Sequence, residues 1–190
     1  MKERILVTGG TGYIGSHTVV ELQNSGYEVV IVDNLSNSRA DVVDHIEQIT
    51  GIRPAFEHVD CLDYEGMDAV FKKYPGIKGV IHFAASKAVG ESVQKPLLYY
   101  RNNLVSLINL LELMPKHNVG GIIFSSSCTV YGQPDVLPVT EAAPIKKAES
   151  PYGNTKQVNE EIVRDTVASG APINAILLRY FNPIGAHPSA

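Results

Sequence analysis

Short apolar runs alternate with longer segments of helical period along most of the chain. The runs predict six strands, at residues 5–7, 28–32, 55–59, 79–83, 121–125 and 173–178. The segments between them predict five helices, at residues 13–24, 41–50, 63–73, 97–114 and 152–168. Regular alternation of helices with strands that are apolar on both faces is typical of an α/β fold. The pattern therefore predicts a doubly wound parallel sheet with helices on both faces.

Two segments add to that alternation. Residues 133–151 hold four prolines and predict a long surface loop, and such loops in compact domains usually carry function. The predicted helix 97–114 has more apolar residues than one core-facing stripe needs. They are Leu97, Leu98, Tyr99, Tyr100, Leu104, Val105, Leu107, Ile108, Leu110, Leu111, Leu113 and Met114. The surplus predicts a second buried face, either a homodimer contact through helices 97–114 and 152–168 or a cover from other parts of the same chain.

The composition is that of a globular chain. Its 190 residues are 44% hydrophobic and 19% charged, which suits one domain or slightly more. The net charge of −4 comes without a basic stripe, so we expect no nucleic-acid partner. We also expect no membrane span, because no apolar run is long enough, and no signal peptide, because the N-terminus lacks a charged region, an apolar region and a small-residue cleavage site in succession. Cys61 and Cys128 form no disulfide framework, and the six histidines lack ligand spacing, which favours a cytoplasmic protein without a metal site.

The first chemical motif follows the first predicted strand and opens the first predicted helix. Its glycines are Gly9, Gly12 and Gly15, in a G-x-x-G-x-x-G spacing. Glycine permits a tight turn and lets the backbone approach a pyrophosphate closely, while the helix N-terminus supplies free N–H groups and the positive end of a dipole. Gly15 would also allow close packing of the helix against the strand. This strand–turn–helix context predicts a dinucleotide-binding, Rossmann-like domain.

An acidic residue follows the second predicted strand. Asp33 comes 18 residues after Gly15, where a carboxylate binds the adenosine ribose and repels a 2′-phosphate. NAD is therefore favoured over NADP, although Arg39 nearby leaves room for some NADP. The alternative is that Asp33 only caps a helix or loop. Alternatives also stand for Asp60, which could be a helix N-cap, and for residues 83–85, which could be simple core.

A second set of residues follows the fifth predicted strand. Ser127 is followed 25 and 29 residues later by Tyr152 and Lys156, which share one face of a helix because they are four residues apart. A tyrosine acts as a base only when ionised, and lowering its pKa from about 10 to about 7 requires about 4 kcal/mol. An ammonium roughly 4 Å away supplies about that much, and an oxidised nicotinamide would add a second positive charge. We therefore expect a catalytic set in which Ser127 bonds the same substrate oxygen; the alternative is an exposed Tyr–Lys pair.

Taken together, these residues resemble the extended short-chain dehydrogenase/reductase family over the whole chain. The resemblance rests on residues 9–18 (GGTGYIGSHT), 33–38 (DNLSNS), 82–92 (HFAASKAVGES), 125–132 (SSSCTVYG), 150–153 (SPYG) and 179–188 (RYFNPIGAHP). Related dehydratases carry Thr-Asp-Glu where this chain has Ser127, Cys128 and Thr129, so the acids that would expel water are missing. Residues 87–92 likewise differ from the corresponding segment of glucuronate epimerases.

The resemblance implies a role for each matching position. Tyr13 and Ile14 would lie beside the pyrophosphate of NAD. Other positions would surround the adenosine (Asp33, Asn34, Leu35, Ser36, Asn37, Ser38, Asp60 and Cys61) or line the rest of the cofactor (Phe83, Ala84, Ala85, Ser86, Lys87, Asn102 and Phe181). Ser127, Tyr152 and Lys156 would form the catalytic set, with Tyr152 and Lys156 also contacting the cofactor. Contacts with the substrate would come from Lys87, Ser127, Tyr152 and Asn182.

The implied activity is NAD-dependent epimerisation at C4 of a UDP-hexose, which interconverts UDP-glucose and UDP-galactose. Tyr152 would take the proton of the 4-hydroxyl while C4 gives a hydride to NAD, and the transient 4-keto sugar would receive it back on its other face. Members of the family continue into a small C-terminal lobe that holds the UDP-sugar. We therefore expect residues 1–190 to form the NAD-binding domain, with that lobe missing and little or no turnover. Two alternatives remain: another NAD-dependent nucleotide-sugar epimerase or reductase, and, for these residues alone, a catalytically silent NAD-binding module.

Overall fold

All six predicted strands and all five predicted helices are present in the computed structural model, which describes residues 2–189. The strands are β1 (Arg4–Thr8), β2 (Glu28–Asp33), β3 (Ala55–His58), β4 (Ile77–His82), β5 (Gly121–Ser127) and β6 (Asn174–Tyr180). The helices are α1 (Tyr13–Asn24), α2 (Val42–Thr50), α3 (Tyr64–Lys73), α4 (Val89–Gln94), α5 (Pro96–Lys116) and α6 (Pro151–Ala168). The predicted boundaries agree with these to within two residues, and α4 is an addition.

The strands form one parallel sheet in the order β3-β2-β1-β4-β5-β6. This is the order of a doubly wound dinucleotide-binding fold, so the predicted fold class is confirmed. Because the chain passes from β3 back across the sheet to β4, the order reverses between β1 and β4. In such sheets a crevice opens at this switch point, beyond the carboxyl ends of the two strands.

The core is divided into two layers by the sheet. One layer packs β-strand residues such as Leu6 and Phe124 against α3, α5 and α6, and the other packs Val7 and Ile31 against α1 and α2. Alternate residues of β1 therefore face opposite layers, as the period of a strand requires. Both faces of the central strands are buried, which explains why those strands read as continuous apolar runs.

Three local features were not predicted. The first is α4, whose apolar residues Val89 and Val93 are exposed, so no buried stripe marks it in the sequence. The second is a 3₁₀ turn at Cys128–Tyr131 directly after β5. The third is that α5 continues past Pro115 to Lys116. Pro115 lies in the last turn of the helix, and its missing N–H removes only one helical hydrogen bond. The predicted loop after the 3₁₀ turn is confirmed, since neither helix nor strand occurs between Tyr131 and Pro151.

Within residues 2–189, none of the helices combines the length and the apolar character that crossing a bilayer requires. The same residues contain no cluster of histidine, cysteine and acidic side chains able to hold a metal ion.

Candidate active site

Gly9 and Gly12 lie in a compact turn between β1 and α1, at the switch point of the sheet, and Gly15 lies in the first turn of α1. Gly9 has a positive φ of 68°, and a Cβ there would lie 2.7 Å from the backbone nitrogen of Ala84. A Cβ on Gly15 would overlap the carbonyl oxygen of Gly9. Gly12 is the N-cap of α1 and offers no side chain to the first N–H groups of the helix. The turn therefore presents an uncapped helix N-terminus with no side chain in the way, a shape that fits a dinucleotide phosphate.

Asp33 ends β2 beside this turn and is buried. Its Oδ2 accepts the backbone N–H of Thr11 at 3.2 Å, and its Oδ1 accepts the N–H of Leu35 at 2.9 Å and the hydroxyl of Ser38 at 3.1 Å. The carboxylate thus does cap its own loop, which was the alternative reading of the sequence. It also lies beside the glycine turn, where the ribose-binding prediction requires it, so the two roles are compatible.

The rest of the segment after β2 is more open. Ser36 and Asn37 are exposed. The guanidinium of Arg39 forms a two-pronged ion pair with the carboxylate of Asp41, with distances of 2.7 Å and 3.1 Å to Oδ2. The Arg39 side chain is 82% exposed, so this surface ion pair is weak, and the suggested role of Arg39 in tolerating NADP stays a prediction.

Asp60 and Cys61 follow β3 and close the same end of the sheet. Asp60 accepts the side-chain amide of Asn34 at 2.9 Å and the backbone N–H of Leu62 at 2.8 Å. Asp60 is not the N-cap of α3, because that position belongs to Asp63. Cys61 is buried, and burial raises the pKa of its thiol to about 12, so the thiol is inert at neutral pH.

A buried asparagine that the sequence did not single out holds the loop after β4. Asn103 accepts the backbone N–H of Ser86 at 2.8 Å, and its amide donates to the Ser86 carbonyl and to the hydroxyl of Thr155, both at 3.0 Å. The neighbouring Asn102, a predicted cofactor residue, donates to the hydroxyl of Ser86 at 3.0 Å. Because Thr155 also bonds the carbonyl of Tyr152, this network fixes the predicted cofactor loop to the first turn of α6.

The predicted catalytic residues converge at the carboxyl end of β5. Ser127 is the last residue of the strand and is buried, and its hydroxyl accepts the N–H of Thr129. Tyr152 and Lys156 share the inward face of α6. The ammonium of Lys156 is buried, donates to the Ser125 carbonyl at 2.7 Å, and lies 5.8 Å from the centre of the Tyr152 ring. The pair is therefore not an exposed one, which excludes that alternative.

The pKa shift of Tyr152 differs in direction from the prediction. Burial raises the pKa of Tyr152 above its ordinary value, and the hydrogen-bonding Ser127 hydroxyl offsets this only in part. Burial also lowers the pKa of Lys156 to about 8. The part of the expectation that rests on Lys156 is not met, because its ammonium donates to a backbone carbonyl and the apolar surroundings disfavour both charged forms. The other part, the positive charge of an oxidised nicotinamide, stays a prediction.

His82 lies next to this pair at the end of β4 and is fully buried. Its Nδ1 shares a 2.7 Å hydrogen bond with the hydroxyl of Thr8, and its ring stacks on Phe124, whose face also meets the ammonium of Lys156 at 4.9 Å. Burial, helped by the positive charge of Lys156, lowers the pKa of His82 to about 3. The imidazole is therefore neutral at physiological pH and adds no second positive charge beside Tyr152.

A buried carboxylate lies deeper on the same face of α6. Glu160 accepts hydrogen bonds from Ser126 at 2.5 Å, from Arg179 at 2.9 Å and 2.7 Å, and from Arg164 at 2.7 Å. Burial opposes its ionisation, but these donors outweigh burial and lower the pKa of Glu160. The available sequence signal was its position four residues after Lys156, which places it on the catalytic face of the helix.

The segment after β6 carries the last two predicted site residues, Phe181 and Asn182, which are both exposed. The preceding Tyr180 ring lies 6.4 Å from that of Phe83, so the start of the segment borders the cofactor loop. Further on, the Gly185 carbonyl accepts the phenol of Tyr13 at 2.6 Å. The segment therefore returns to the N-terminus of α1. Lys87, the remaining predicted substrate contact, is exposed.

Comparison with known proteins gives one consistent answer. The chain is 53% identical over 187 residues to a UDP-glucose 4-epimerase from Dictyostelium discoideum and 55% identical over 185 residues to one from Bacillus subtilis. These matches cover 98% and 97% of this chain, and 54% of each relative. The crystal structure of a Bifidobacterium longum UDP-glucose 4-epimerase in complex with NAD⁺ and UDP superimposes with a TM-score of 0.95 at 50% identity, covering 98% of this chain and 55% of that one.

This chain thus spans about half the length of the relatives that it matches. The family resemblance predicted from the motifs is confirmed. The model of the NAD dependent epimerase/dehydratase family matches residues 5–190, which is nearly the whole chain. The chain belongs to the NAD dependent epimerase/dehydratase family.

Proposed function

We propose that this chain is the cofactor-binding and catalytic part of a UDP-glucose 4-epimerase, which interconverts UDP-glucose and UDP-galactose by NAD-dependent epimerisation at C4. The observation that carries the proposal is the convergence of Ser127, Tyr152 and Lys156 at the end of β5. It is supported by relatives of that name that are 53% and 55% identical over almost all of this chain.

The residues around the switch point fit NAD. The backbone of the glycine turn and the uncapped N-terminus of α1 would hold the pyrophosphate, and Asp33 would bind the ribose. Residues 83–87 and Asn102 would line the remaining path toward Tyr152. Bound NAD would accept and return the hydride at C4 of the sugar.

Tyr152 is the group in this chain that is placed to move a proton at the 4-hydroxyl. As a phenolate it would take that proton, and as a phenol it would return it, so one residue serves both directions. Since burial raises the pKa of Tyr152, ionisation needs nearby positive charge, and Lys156 is the cation that this chain supplies. Ser127 would hold the same sugar oxygen by a hydrogen bond. Asn182 and Lys87, which are both exposed, would contact the substrate.

We further propose that residues 1–190 form one NAD-binding domain and that a C-terminal substrate lobe belongs to the complete protein. The edge strand β6 supports this, because Ile176 and, just beyond the strand, Phe181 are 55% and 57% exposed. Apolar side chains grouped at a sheet edge are typical of a covered surface. The relatives are almost twice as long as this chain, which leaves room for such a lobe.

We also propose that the protein is a homodimer and that it is located in the cytoplasm. The surplus of apolar residues on α5 is divided in the structure: one group enters the core, whereas Leu97, Leu98, Val105 and Ile108 are 81%, 49%, 37% and 37% exposed. The exposed group would form a contact between two copies, with α6 packed beside α5. The cytoplasm is proposed because two cysteines far apart in the sequence, Cys61 and Cys128, form no disulfide framework.

Two measurements test the proposed function. Calorimetric titration of the 190-residue chain with NAD should show binding. A separate activity assay of the same chain should show little or no conversion of UDP-galactose. In the complete protein, Tyr152→Phe should keep the affinity for NAD within twofold and slow the conversion of UDP-galactose to UDP-glucose by a factor of about 10³, the usual worth of a positioned proton-transfer group. Tyr27→Phe, at the opposite end of the sheet, is the matched control.

The outcomes separate the alternatives. Full activity of Tyr152→Phe would eliminate the proposed base. A complete protein that binds NAD yet converts no UDP-hexose would be a silent binding module, or would act on another nucleotide sugar if one is turned over. Measurable epimerisation by the 190-residue chain would contradict the need for a second lobe.

A further inference from the structure

Glu160 is a buried carboxylate on the catalytic helix that contacts neither the predicted cofactor site nor the substrate site. Its side chain is 1% exposed, and both of its oxygens are fully used. Oε1 accepts the Ser126 hydroxyl and Nε of Arg179, and Oε2 accepts one amino group each of Arg179 and Arg164. Four donors therefore surround this deeply buried charge. Because a buried ion pair by itself contributes little to stability, stability alone does not explain why a carboxylate lies here.

The strand register explains why Ser126 and Arg179 reach the same carboxylate. Ser126 of β5 lies directly opposite Arg179 of β6, and Ser127 lies opposite Tyr180. Glu160 therefore bridges one rung of the ladder, the rung immediately before the catalytic Ser127. Arg179 also stacks on the ring of Tyr131, with 4.7 Å between the guanidinium carbon and the ring centre, which adds the 3₁₀ turn after Ser127 to the same cluster.

The helix end of this bridge is equally specific. Tyr152, Lys156 and Glu160 are spaced at intervals of four, so they form one row along α6. Lys156 bonds the Ser125 carbonyl, and Glu160 bonds the Ser126 side chain. Two successive members of the row thus contact two successive residues of β5. Both the rotation of α6 about its axis and its shift along the strand are fixed by these bonds, and with them the place of the Tyr152 phenol.

From this geometry we propose that Glu160 is a positioning residue, which sets Tyr152 against Ser127 and the start of the 181–182 segment by joining α6 to the Ser126–Arg179 rung of β5 and β6. The proposal rests on the proposed function, since the three groups that it aligns are the predicted catalytic and substrate-binding residues. A displacement of about 1 Å at reacting groups can reduce a rate a hundredfold, so the effect should appear in kcat.

The variants separate positioning from folding. Glu160→Gln keeps the length of the side chain and removes the charge. Ser126→Ala removes one bond and leaves no buried charge unpaired. The double variant Glu160→Met with Arg179→Met replaces the ion pair by apolar side chains, which buried pairs often tolerate without loss of stability. Arg164→Met is the control. Arg164 is half exposed, and its bond to Glu160 stays within α6, so losing that bond leaves the connection of α6 to β5 and β6 in place.

The first readout is steady-state conversion of UDP-galactose by the complete protein. Glu160→Gln and the double variant should lower kcat at least tenfold, and Ser126→Ala threefold or more, while KM and the dissociation constant for NAD stay within threefold. Arg164→Met should keep kcat within twofold. A purely structural role would lower the apparent kcat only by reducing the folded fraction, so kcat is calculated per folded molecule, counted by titration of the NAD sites. On that basis a structural role would leave kcat unchanged, whereas a positioning role would lower it.

The second readout is hydrogen–deuterium exchange in the 190-residue chain, which requires no turnover. Peptides that cover residues 125–131 and 178–182 should exchange at least tenfold faster in Glu160→Gln and should be unchanged in Arg164→Met, whereas peptides of β1 and β2 should be unaffected in both. If Glu160→Gln fails to fold, the proposal is tested by the double variant and by Ser126→Ala. Unchanged kcat and unchanged exchange in the variants that fold would overturn the proposal, whereas an inactive wild-type protein would count against the proposed function instead.

Discussion

Substitution of Gly15 by alanine isolates the close approach of α1 to the glycine turn. A Cβ built on Gly15 would overlap the Gly9 carbonyl oxygen and lie 2.9 Å from the Gly10 Cα and 3.0 Å from the Gly9 carbonyl carbon. All of these are backbone atoms, which cannot move aside as the end of a flexible side chain could. The first turn of α1 must therefore shift away from the turn that we propose to hold the pyrophosphate.

Two opposing terms set the size of the effect. Alanine is favoured over glycine inside a helix by about 1 kcal/mol, and overpacking at a filled position costs about 1–3 kcal/mol. Gly90→Ala gains the helix preference of alanine without the cost of overpacking. Gly90 also lies in the first turn of a helix, α4, and a Cβ there would meet nothing within 4 Å. The two variants should therefore differ in unfolding free energy by about 1–3 kcal/mol, with Gly15→Ala the less stable.

The assays are urea unfolding followed by circular dichroism and calorimetric titration with NAD, both on the 190-residue chain. With the urea dependence typical of small proteins, the midpoints of the two variants should differ by roughly 1 M. Gly15→Ala should bind NAD at least tenfold more weakly than wild type, and Gly90→Ala should bind it normally. If Gly15→Ala matched Gly90→Ala in both assays, the reasoning from close approach and the placement of NAD at this turn would both be refuted.

Two further predictions concern charged and titratable groups of the site. Asp33→Ala should weaken NAD binding by a factor of roughly 10 to 150, since a hydrogen bond to a charged group contributes about 1.5–3 kcal/mol, and should narrow the preference for NAD over NADP; unchanged titrations with both cofactors would count against ribose binding by Asp33. His82, with its pKa held near 3 by burial, binds its proton far more weakly in the folded chain than in the unfolded chain, so stability is retained above pH 6.5 and lost as the pH falls toward 3. Between pH 7 and pH 5 the loss should be about 2 kcal/mol, and His82→Asn, whose amide can still bond Thr8, should remove most of that slope in urea unfolding; an equal slope in the variant would show that His82 is not its source.

The sequence was informative where chemistry depends on neighbours in the chain. Gly9, Gly12 and Gly15 act within one turn, and Tyr152 and Lys156 act within one turn of helix, so spacing alone predicted their association. The residues that were missed, Asn103, His82 and Glu160, work through contacts with strands and loops far away in the chain. Each is a polar side chain inside an amphipathic or apolar segment, and the pattern of a single element does not tell a buried polar residue with partners from a solvated one.

The sequence by itself determined the alternation of strands and helices, the glycine turn and the row of residues on α6, because these follow from local periodicity and from the backbone freedom of glycine. Only the tertiary structure decided the direction of the pKa shifts in the site. Burial in one apolar layer favours the neutral form of three side chains: it raises the pKa of Tyr152 and lowers those of Lys156 and His82. For Tyr152 this direction is opposite to the one that the Tyr–Lys spacing predicted. The physical reason is that solvation of a charge depends on everything packed around it, and that packing joins β4, β5 and α6 across residues distant in the chain.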